Sequence, residues 1–231
     1  MKLPLSKRLQ VCSGFVATGD RVADIGCDHG YLGIHLLIQG IASSVIAADV
    51  NEGPLQSAMR NAAKYGVRDK MTFHLSDGAQ NIPRDFDTMV CAGMGADTMV
   101  SILDRAPWLK DNRYRLILQC QSKTPMLRQY LSEQGWQIMK ESVLRDGRFL
   151  YTVMEVIWQP TYPRLAEGES WFPHALLENP GPETAEYFRR IYEGLTLAVH
   201  HGDIGEKAQA LAYMNQLSQT PELQRLMEEP K

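Results

Sequence analysis

The stretch that most constrains how this chain folds is residues 22–37, which read VADIGCDHGYLGIHLL. Residues 22–25 form a short apolar run of strand character, and residues 31–37 have the spacing of a helix start. Gly26 and Gly30 mark a tight turn between them. Such a turn presents backbone N–H groups and the positive end of a helix dipole, which suit an anionic or polar ligand group. The stretch predicts a nucleotide-like cofactor; a strand–turn–helix unit without a ligand is the alternative.

The spacing of the glycines indicates which cofactor. A dinucleotide fingerprint requires G-x-G-x-x-G, whereas Asp28 stands here where the second glycine should be. Because a pyrophosphate would meet a carboxylate there, the turn disfavours NAD. The pattern D-x-G-x-D-x-G, which begins at Asp24, instead resembles the first motif of S-adenosylmethionine (SAM) methyltransferases. That cofactor carries an ammonium and a sulfonium and no phosphate, so an acidic turn suits it.

Composition sets broad limits on the protein class. With 231 residues, of which 44% are hydrophobic and 22% charged, the chain is expected to form one globular domain with an appendage, or two small domains. We find no apolar run of the roughly 18 residues that a membrane helix needs and no signal-peptide pattern, which predicts a cytoplasmic protein. The four cysteines are scattered and lack ligand spacing, so neither zinc nor a disulfide framework is indicated. The net charge of −3 does not by itself indicate nucleic-acid binding.

Two further acidic residues follow predicted strands. Residues 45–48 form a strand that ends in Asp49, where a carboxylate can accept both ribose hydroxyls of an adenosine. Residues 71–75 form a third strand, followed by Asp77, which in the methyltransferase layout lies beside the adenine ring and can accept from its amine. The alternatives are a helix N-terminal carboxylate for Asp49 and an ordinary Asp-Gly turn for Asp77.

The remaining pattern completes a sheet. Strands are predicted at 87–92 and 115–119, each followed by a helix, and Thr124 is expected to cap the second of these helices. Residues 136–143 and 149–158 read as a hairpin. Five strand–helix units closed by a hairpin give an α/β fold: the mostly parallel seven-stranded, Rossmann-like sheet of class I methyltransferases.

The chain changes character after residue 159. Residues 160–182 are rich in proline and predict a linker or extended wrap. Two apolar stripes beyond it predict a C-terminal helical hairpin. This part carries six Lys or Arg against eleven Asp or Glu, hence −5, whereas residues 1–159 carry 18 against 16, hence +2. We therefore expect a methyltransferase domain at 1–159 and a linker with a coiled-coil-like helical domain at 160–231.

Several motifs occur in an order that identifies a family. SKRL at 6–9, ADIGCDHGYL at 23–32, DVNEGPLQSA at 49–58, AGMG at 92–95 and LILQ at 116–119 together resemble the bacterial TrmK family. Members of that family methylate N1 of adenine 22 in tRNA. Two positions depart from the family pattern: Gln119-Cys120-Gln121 replaces Gln-Pro-Asn, and Tyr151-Thr152 replaces Tyr-Glu.

The resemblance implies SAM as cofactor and tRNA as partner. It implies Asp28 as the catalytic acid, which we expect to accept a hydrogen bond from the adenine amine. Together with the turn motifs it assigns the cofactor to a set of residues that follow the strands: Asp24, Gly26, Cys27, Asp28, His29, Gly30, Asp49, Val50, Asp77, Gly78, Ala92, Gly93 and Met94.

The tRNA contacts are predicted from topology. Ligands bind at the carboxyl ends of the strands of such sheets, and basic residues expected at that edge are suited to phosphates. The predicted contacts are Arg8, Gln119, Lys123, Arg145 and Arg148; ordinary solvated surface charges are the alternative for the four basic residues among them.

Other functions share part of this pattern. A SAM-dependent enzyme acting on a protein or small molecule would have the same cofactor residues, and a non-catalytic tRNA-binding protein would have the same fold. An NAD oxidoreductase is disfavoured by the glycine spacing. The sequence leaves open whether the chain is a monomer or a dimer formed through the C-terminal helices.

Overall fold

A computed structural model describes residues 3–228 and contains one seven-stranded sheet with helices on both faces. The strands are β1 (Arg21–Ile25), β2 (Ser44–Asp49), β3 (Met71–Leu75), β4 (Thr88–Met94), β5 (Arg115–Cys120), β6 (Trp136–Asp146) and β7 (Phe149–Trp158). The α-helices are α1 (Lys7–Ser13), α2 (Tyr31–Ile38), α3 (Glu52–Lys64), α4 (Ala96–Asp104), α5 (Thr124–Glu133), α6 (His174–Glu178), α7 (Thr184–His200), α8 (Glu206–Leu217) and α9 (Pro221–Glu228).

The strand order is β3-β2-β1-β4-β5-β7-β6. The first five strands in this order run parallel, and β7 lies antiparallel between β5 and β6. This is the mostly parallel seven-stranded sheet that the sequence predicts. The strand order reverses between β1 and β4, so the connections that leave the carboxyl ends of these two parallel strands diverge to opposite faces of the sheet and leave a crevice.

The alternation of side chains along each strand separates two apolar layers. Ala23, Ile25 and Met89 face the layer that includes α4 and α5, whereas Val22 and Val90 face the layer that includes α1, α2 and α3. Both faces of the central strands are therefore covered, which explains why these strands read as continuous apolar runs rather than as alternating ones.

A third apolar cluster holds the C-terminal helices to the sheet. Val143 of β6 packs into it with Phe172, Phe188 and Met214. The stretch 160–182, expected to be a linker, contains α6 and the fully buried Phe172. Five residues are too few to show a helical period in the sequence, so this helix could not be read from its pattern. The predicted helical hairpin corresponds to α7 and α8, and α9 follows as an additional helix.

One expected helix cap is wrong. Thr124 is the first helical residue of α5, and the cap position is occupied by Lys123, whose φ is 57°. The chain leaves β5 through a left-handed residue, a conformation that most side chains adopt only when the surrounding structure imposes it.

A buried ion pair joins the sheet to the C-terminal helices. Arg128 of α5 and Glu141 of β6 are both fully buried, with Arg128 Nη2 2.7 Å from Glu141 Oε1. The same guanidinium donates to the backbone oxygen of Ser170 at 2.7 Å and to the hydroxyl of Tyr187 at 3.0 Å. One side chain thus connects α5, β6, the segment before α6, and α7. Across the described chain, 3–228, no helix has both the length and the hydropathy needed to cross a membrane.

The buried pair makes a prediction about stability. Glu141→Gln leaves the Arg128 guanidinium buried without a countercharge, so it should lower the free energy of unfolding by about 3–5 kcal/mol. Urea unfolding of the intact chain measures this loss.

Two further variants separate charge from packing. Lys207→Gln removes an exposed pair with Asp203 and should change the free energy of unfolding by less than about 1 kcal/mol. The double replacement of Arg128 by Met and Glu141 by Leu should recover much of the loss, since no uncompensated charge stays buried. A cost for Glu141→Gln as small as that of Lys207→Gln would contradict the assignment.

Candidate active site

The turn after β1 is held in an unusual backbone conformation. Gly26, Asp28 and Gly30 all have positive φ, at 71°, 51° and 71°. The N–H groups of Gly26 and Cys27 both donate to the backbone oxygen of Ala48, at 2.8 and 2.9 Å, which fixes the turn to the end of β2. A Cβ on Gly30 would lie 2.9 Å from the Cβ of Ala58, so only glycine lets α2 approach α3 this closely.

Asp49 connects two turns. Its carboxylate accepts from the backbone N–H of Asp28 at 3.1 Å and from that of Asn51 at 2.9 Å. The side chain is largely buried at the end of β2. The strand-end position predicted for this carboxylate therefore also makes it a structural support of the β1–α2 turn.

Asp24 is a buried carboxyl group at the centre of the site. It is 4% exposed, and its Oδ2 finds no hydrogen-bond partner among the residues that the structure describes. Burial raises the pKa of Asp24 to about 7; the backbone amide of Gly33 opposes this shift, and the nearby carboxylates of Asp49 and Asp28 add to it. The group therefore changes its charge near neutral pH.

The end of β4 is shaped by a fully buried glutamine. The pairing of β4 with β5 shifts register between Ala92 and Met94, and Gly93 between them has a φ of 82°. Gln119 Oε1 accepts from the Gly93 N–H at 3.0 Å, and Gln119 Nε2 donates to the backbone oxygen of Cys120 at 3.0 Å. Gln119, predicted as a tRNA contact, has both ends of its amide bound to the backbone of this chain.

Two cavities open at the carboxyl ends of the strands and share Gly26 and Met94. The first, of about 450 Å³, brings together the predicted residues Arg8, Asp24, Gly26, Cys27, Asp28, His29, Ala92, Gly93, Met94 and Gln119. The second, of about 460 Å³, brings together Gly26, Asp49, Val50, Asp77, Gly78 and Met94. Gly30, which caps α2, lines neither. The Met94 side chain lies directly against Gly26, where a Cβ would collide with its Cε.

The second cavity also contains residues that the sequence reading missed. Arg105, which follows α4, forms an ion pair with Asp77, and both side chains are about half exposed. Thr98 and Ser101 of α4 line the same cavity. Because these residues approach from a helix and not from a strand end, no spacing in the sequence marks them.

The predicted basic contacts lie outside the cavities except for Arg8. Lys123 pairs with Asp97 at 2.8 Å, and Arg145 pairs with Glu186 of α7. Arg8 pairs with Asp146 at 3.1 Å and Arg148 lies over the ring of Phe149. Carboxylates pair with Arg8, Lys123 and Arg145, so the positive charge at this edge is local and partly compensated.

The cysteines and possible metal ligands have simple environments. All four cysteines are free and buried. Burial raises the pKa of Cys12 and Cys91 to about 12 and also raises the pKa of Cys27 and Cys120. These thiols are therefore protonated at neutral pH and poor nucleophiles. Residues 3–228 contain no group of three or more His, Cys, Asp or Glu side chains that could hold a metal ion.

The known proteins that this chain resembles are methyltransferases. A family described as "Methyltransferase domain" matches residues 5–154. The tRNA (adenine(22)-N(1))-methyltransferase of Bacillus subtilis is 31% identical over 154 residues, which are 66% of this chain and 65%, just under two thirds, of that protein. A ribosomal protein L11 methyltransferase of Thermotoga neapolitana is 30% identical over 134 residues, 57% of this chain and 49% of that protein.

A solved structure resembles nearly the whole chain. The crystal structure of a candidate tRNA (m1A22) methyltransferase from Streptococcus pneumoniae has a TM-score of 0.81 and 28% identity, and covers 97% of this chain and 100% of that one. The same protein in complex with SAM has a TM-score of 0.78 and 29% identity, with the same coverage. The likeness extends over the C-terminal helices, which the family match at 5–154 does not include.

The buried carboxyl group makes a prediction about pH. Its pKa is raised from 3.8 to about 7, so the folded protein favours the protonated form, and this stabilisation is complete below about pH 4 and lost as the pH rises through 7. Asp24→Asn cannot ionise. The free energy of unfolding of Asp24→Asn should therefore rise relative to that of the parent protein between pH 4 and pH 8, by up to about 4 kcal/mol.

Denaturant unfolding of the two proteins between pH 4 and 8 measures this difference. Asp69→Asn, which also removes one negative charge but at an exposed site, is the matched control and should show no such growth. Parallel pH profiles for Asp24→Asn and the parent protein would contradict the assignment.

Proposed function

This chain belongs to the methyltransferase-domain family that matches residues 5–154, and we propose that it transfers a methyl group from SAM to N1 of adenine 22 in tRNA. The observation that carries the proposal is the pair of acid-lined cavities at the β1–β4 crevice, which meet at Gly26 and Met94. The similarity to a named tRNA (adenine(22)-N(1))-methyltransferase and to a SAM-bound structure supports the choice of cofactor and acceptor.

The donor and acceptor groups of the site fit SAM. Asp49 and Asp77 in the second cavity are acceptors suited to ribose hydroxyls and to an adenine amine. Asp24 in the first cavity offers a buried carboxylate oxygen without a partner in the described chain, which suits an ammonium group. When bound, SAM supplies an electrophilic methyl carbon attached to a positively charged sulfur.

The first cavity suits the methyl acceptor beside the cofactor. Asp28 lines it with a side chain that is 71% exposed, and His29 Nε2 lies 3.6 Å from its Oδ1. Ring nitrogen N1 of adenine has an in-plane lone pair, so no base has to remove a proton before methylation. Asp28 accepts a hydrogen bond from the adenine amine and stabilises the positive charge that develops on the ring as N1 is methylated.

Other residues of the site position this pair of ligands. Gln119 holds the Gly93 N–H, and so fixes the turn that carries Met94 between the two cavities. The left-handed backbone at Asp28 directs its carboxylate into the first cavity. Lys123, Arg145, Arg148 and Arg8 are proposed to contact tRNA phosphates at this edge.

A protein acceptor is the second candidate. The similarity to a ribosomal protein L11 methyltransferase and the net charge of −3 favour it. It requires the same cofactor residues, so the acceptor must be decided by experiment.

The deciding experiment follows labelled methyl from SAM into an unmodified tRNA transcript and into the same transcript with adenine 22 replaced by guanine. We expect label in the first transcript and none in the second. Label in both would move the target to another nucleotide. Absence of label from any tRNA, together with label in a ribosomal protein, would favour the second candidate.

Asp28→Asn tests the catalytic assignment. Asparagine tolerates the positive φ of this position but presents an amide where the developing positive charge requires a carboxylate. Turnover on tRNA should fall about 10²–10³-fold, with the dissociation constants of SAM and tRNA nearly unchanged. Single-turnover methylation together with equilibrium binding measures the three quantities.

Asp85→Asn is the control, because Asp85 is exposed and precedes β4 at the opposite edge of the sheet. It should keep the parent rate. An Asp28→Asn variant that binds both ligands and turns over at the parent rate would exclude Asp28 from catalysis.

A further inference from the structure

Two aromatic side chains stand side by side at the start of β7. Phe149 and Tyr151 are two residues apart on one strand, so they share one face of the sheet, and their ring centroids are 6.1 Å apart with an interplanar angle of 38°. Leu150, between them, points to the other face and packs against the C-terminal cluster. Phe149 is 50% exposed. The start of β7 therefore presents an aromatic ring to solvent beside a second ring on the same face.

An arginine guanidinium group lies over each ring. Arg148 Cζ lies 4.9 Å from the centroid of Phe149, and Arg8 Cζ lies 5.4 Å from the centroid of Tyr151. Asp146, whose Oδ2 is 3.1 Å from Arg8 Nε, is the carboxylate that pairs with this set. We call Arg148, Phe149, Tyr151 and Arg8 the aromatic–arginine strip.

The strip begins at the site already described. Arg8 lines the first cavity beside Asp28. Cys120, the last residue of β5, pairs with Thr152, so Phe149 stands three residues, about 10 Å, beyond the end of that strand. The strip therefore runs from the rim of the first cavity outward along the hairpin tip.

An adenine that is methylated at N1 places a geometric demand on its neighbours. N1 lies on the Watson–Crick edge, which is inaccessible in a stacked and paired helix, so the target base must leave its stack. Bases that have lost a stacking partner are bound in proteins by aromatic rings and by the planes of arginine guanidinium groups. The strip offers both, next to the cavity that would receive the target base.

We propose, on the basis of the function proposed above, that the aromatic–arginine strip stacks the nucleotides that flank the target adenine in the RNA. Arg8 and Arg148 also supply positive charge for the adjoining phosphates.

Phe149→Leu tests the strip, because leucine keeps apolar surface and removes the ring. The KM for tRNA should rise roughly 5- to 100-fold, whereas kcat at saturating tRNA and the dissociation constant of SAM should stay within about two-fold of the parent values. Phe149→Trp, in contrast to Phe149→Leu, should keep the KM of the parent protein, since indole offers a larger stacking face. Tyr162→Leu is the matched control: Tyr162 is 46% exposed but follows the far end of β7, and its loss should leave the KM unchanged.

A fluorescent base reports stacking directly. With 2-aminopurine placed next to adenine 22, the parent protein should quench the fluorescence on binding and Phe149→Leu should quench it less. If the parent protein methylates tRNA but Phe149→Leu changes neither the KM nor the quenching, the proposed role of the strip is wrong and the proposed function still stands. Failure of the parent protein to methylate any tRNA would overturn both.

Discussion

The site depends on the carboxylate of Asp49. By accepting the N–H groups of Asp28 and Asn51, it holds the turn after β1 and the turn after β2 at a fixed separation. The backbone oxygen of Ala48, which receives two more N–H groups from the β1 turn, strengthens the same connection. These contacts come from adjacent parallel strands. The sheet therefore imposes the positive φ of Asp28, which the intrinsic preference of the loop residues does not explain.

The same arrangement determines the electrostatics of the crevice. Three carboxyl groups, Asp24, Asp28 and Asp49, face one region. Burial raises the pKa of Asp24 to about 7, and the carboxylates of Asp49 and Asp28 add to this shift. A cationic ligand would reverse this balance by giving the buried oxygen a partner and favouring its ionised form. An acidic crevice of this kind repels a pyrophosphate and suits an ammonium, which is why the chemistry of the turn selects the cofactor more sharply than its glycines do.

Sequence reasoning identified the features that short stretches of the chain determine by themselves. The seven strands, the acids that follow β1, β2 and β3, and the glycines of the turns are all local signals, and the fold predicted from them is confirmed. The features that sequence reasoning did not identify depend on tertiary contacts. The Arg105 side chain reaches Asp77 from a helix end, and the Gln119 amide is bound to the backbone of neighbouring residues. The short α6 and the Lys123 cap have no spacing or composition that marks them. The roles of the individual site residues remain predictions.

The C-terminal helices fix the position of the β6–β7 hairpin tip, and this matters more than the charge that they carry. Their sequence is acidic, yet Glu186 binds both Arg145 of the hairpin and Arg190 of its own helix, and Arg190 donates to the backbone oxygen of Arg148. These contacts hold the hairpin tip from behind, while Arg128 and Glu141 hold α7 to the sheet farther along. A hairpin fixed at two points can present Phe149 and Arg148 at a constant distance from the first cavity. The proposed methylation of one nucleotide within a folded RNA requires this constant distance more than it requires net charge.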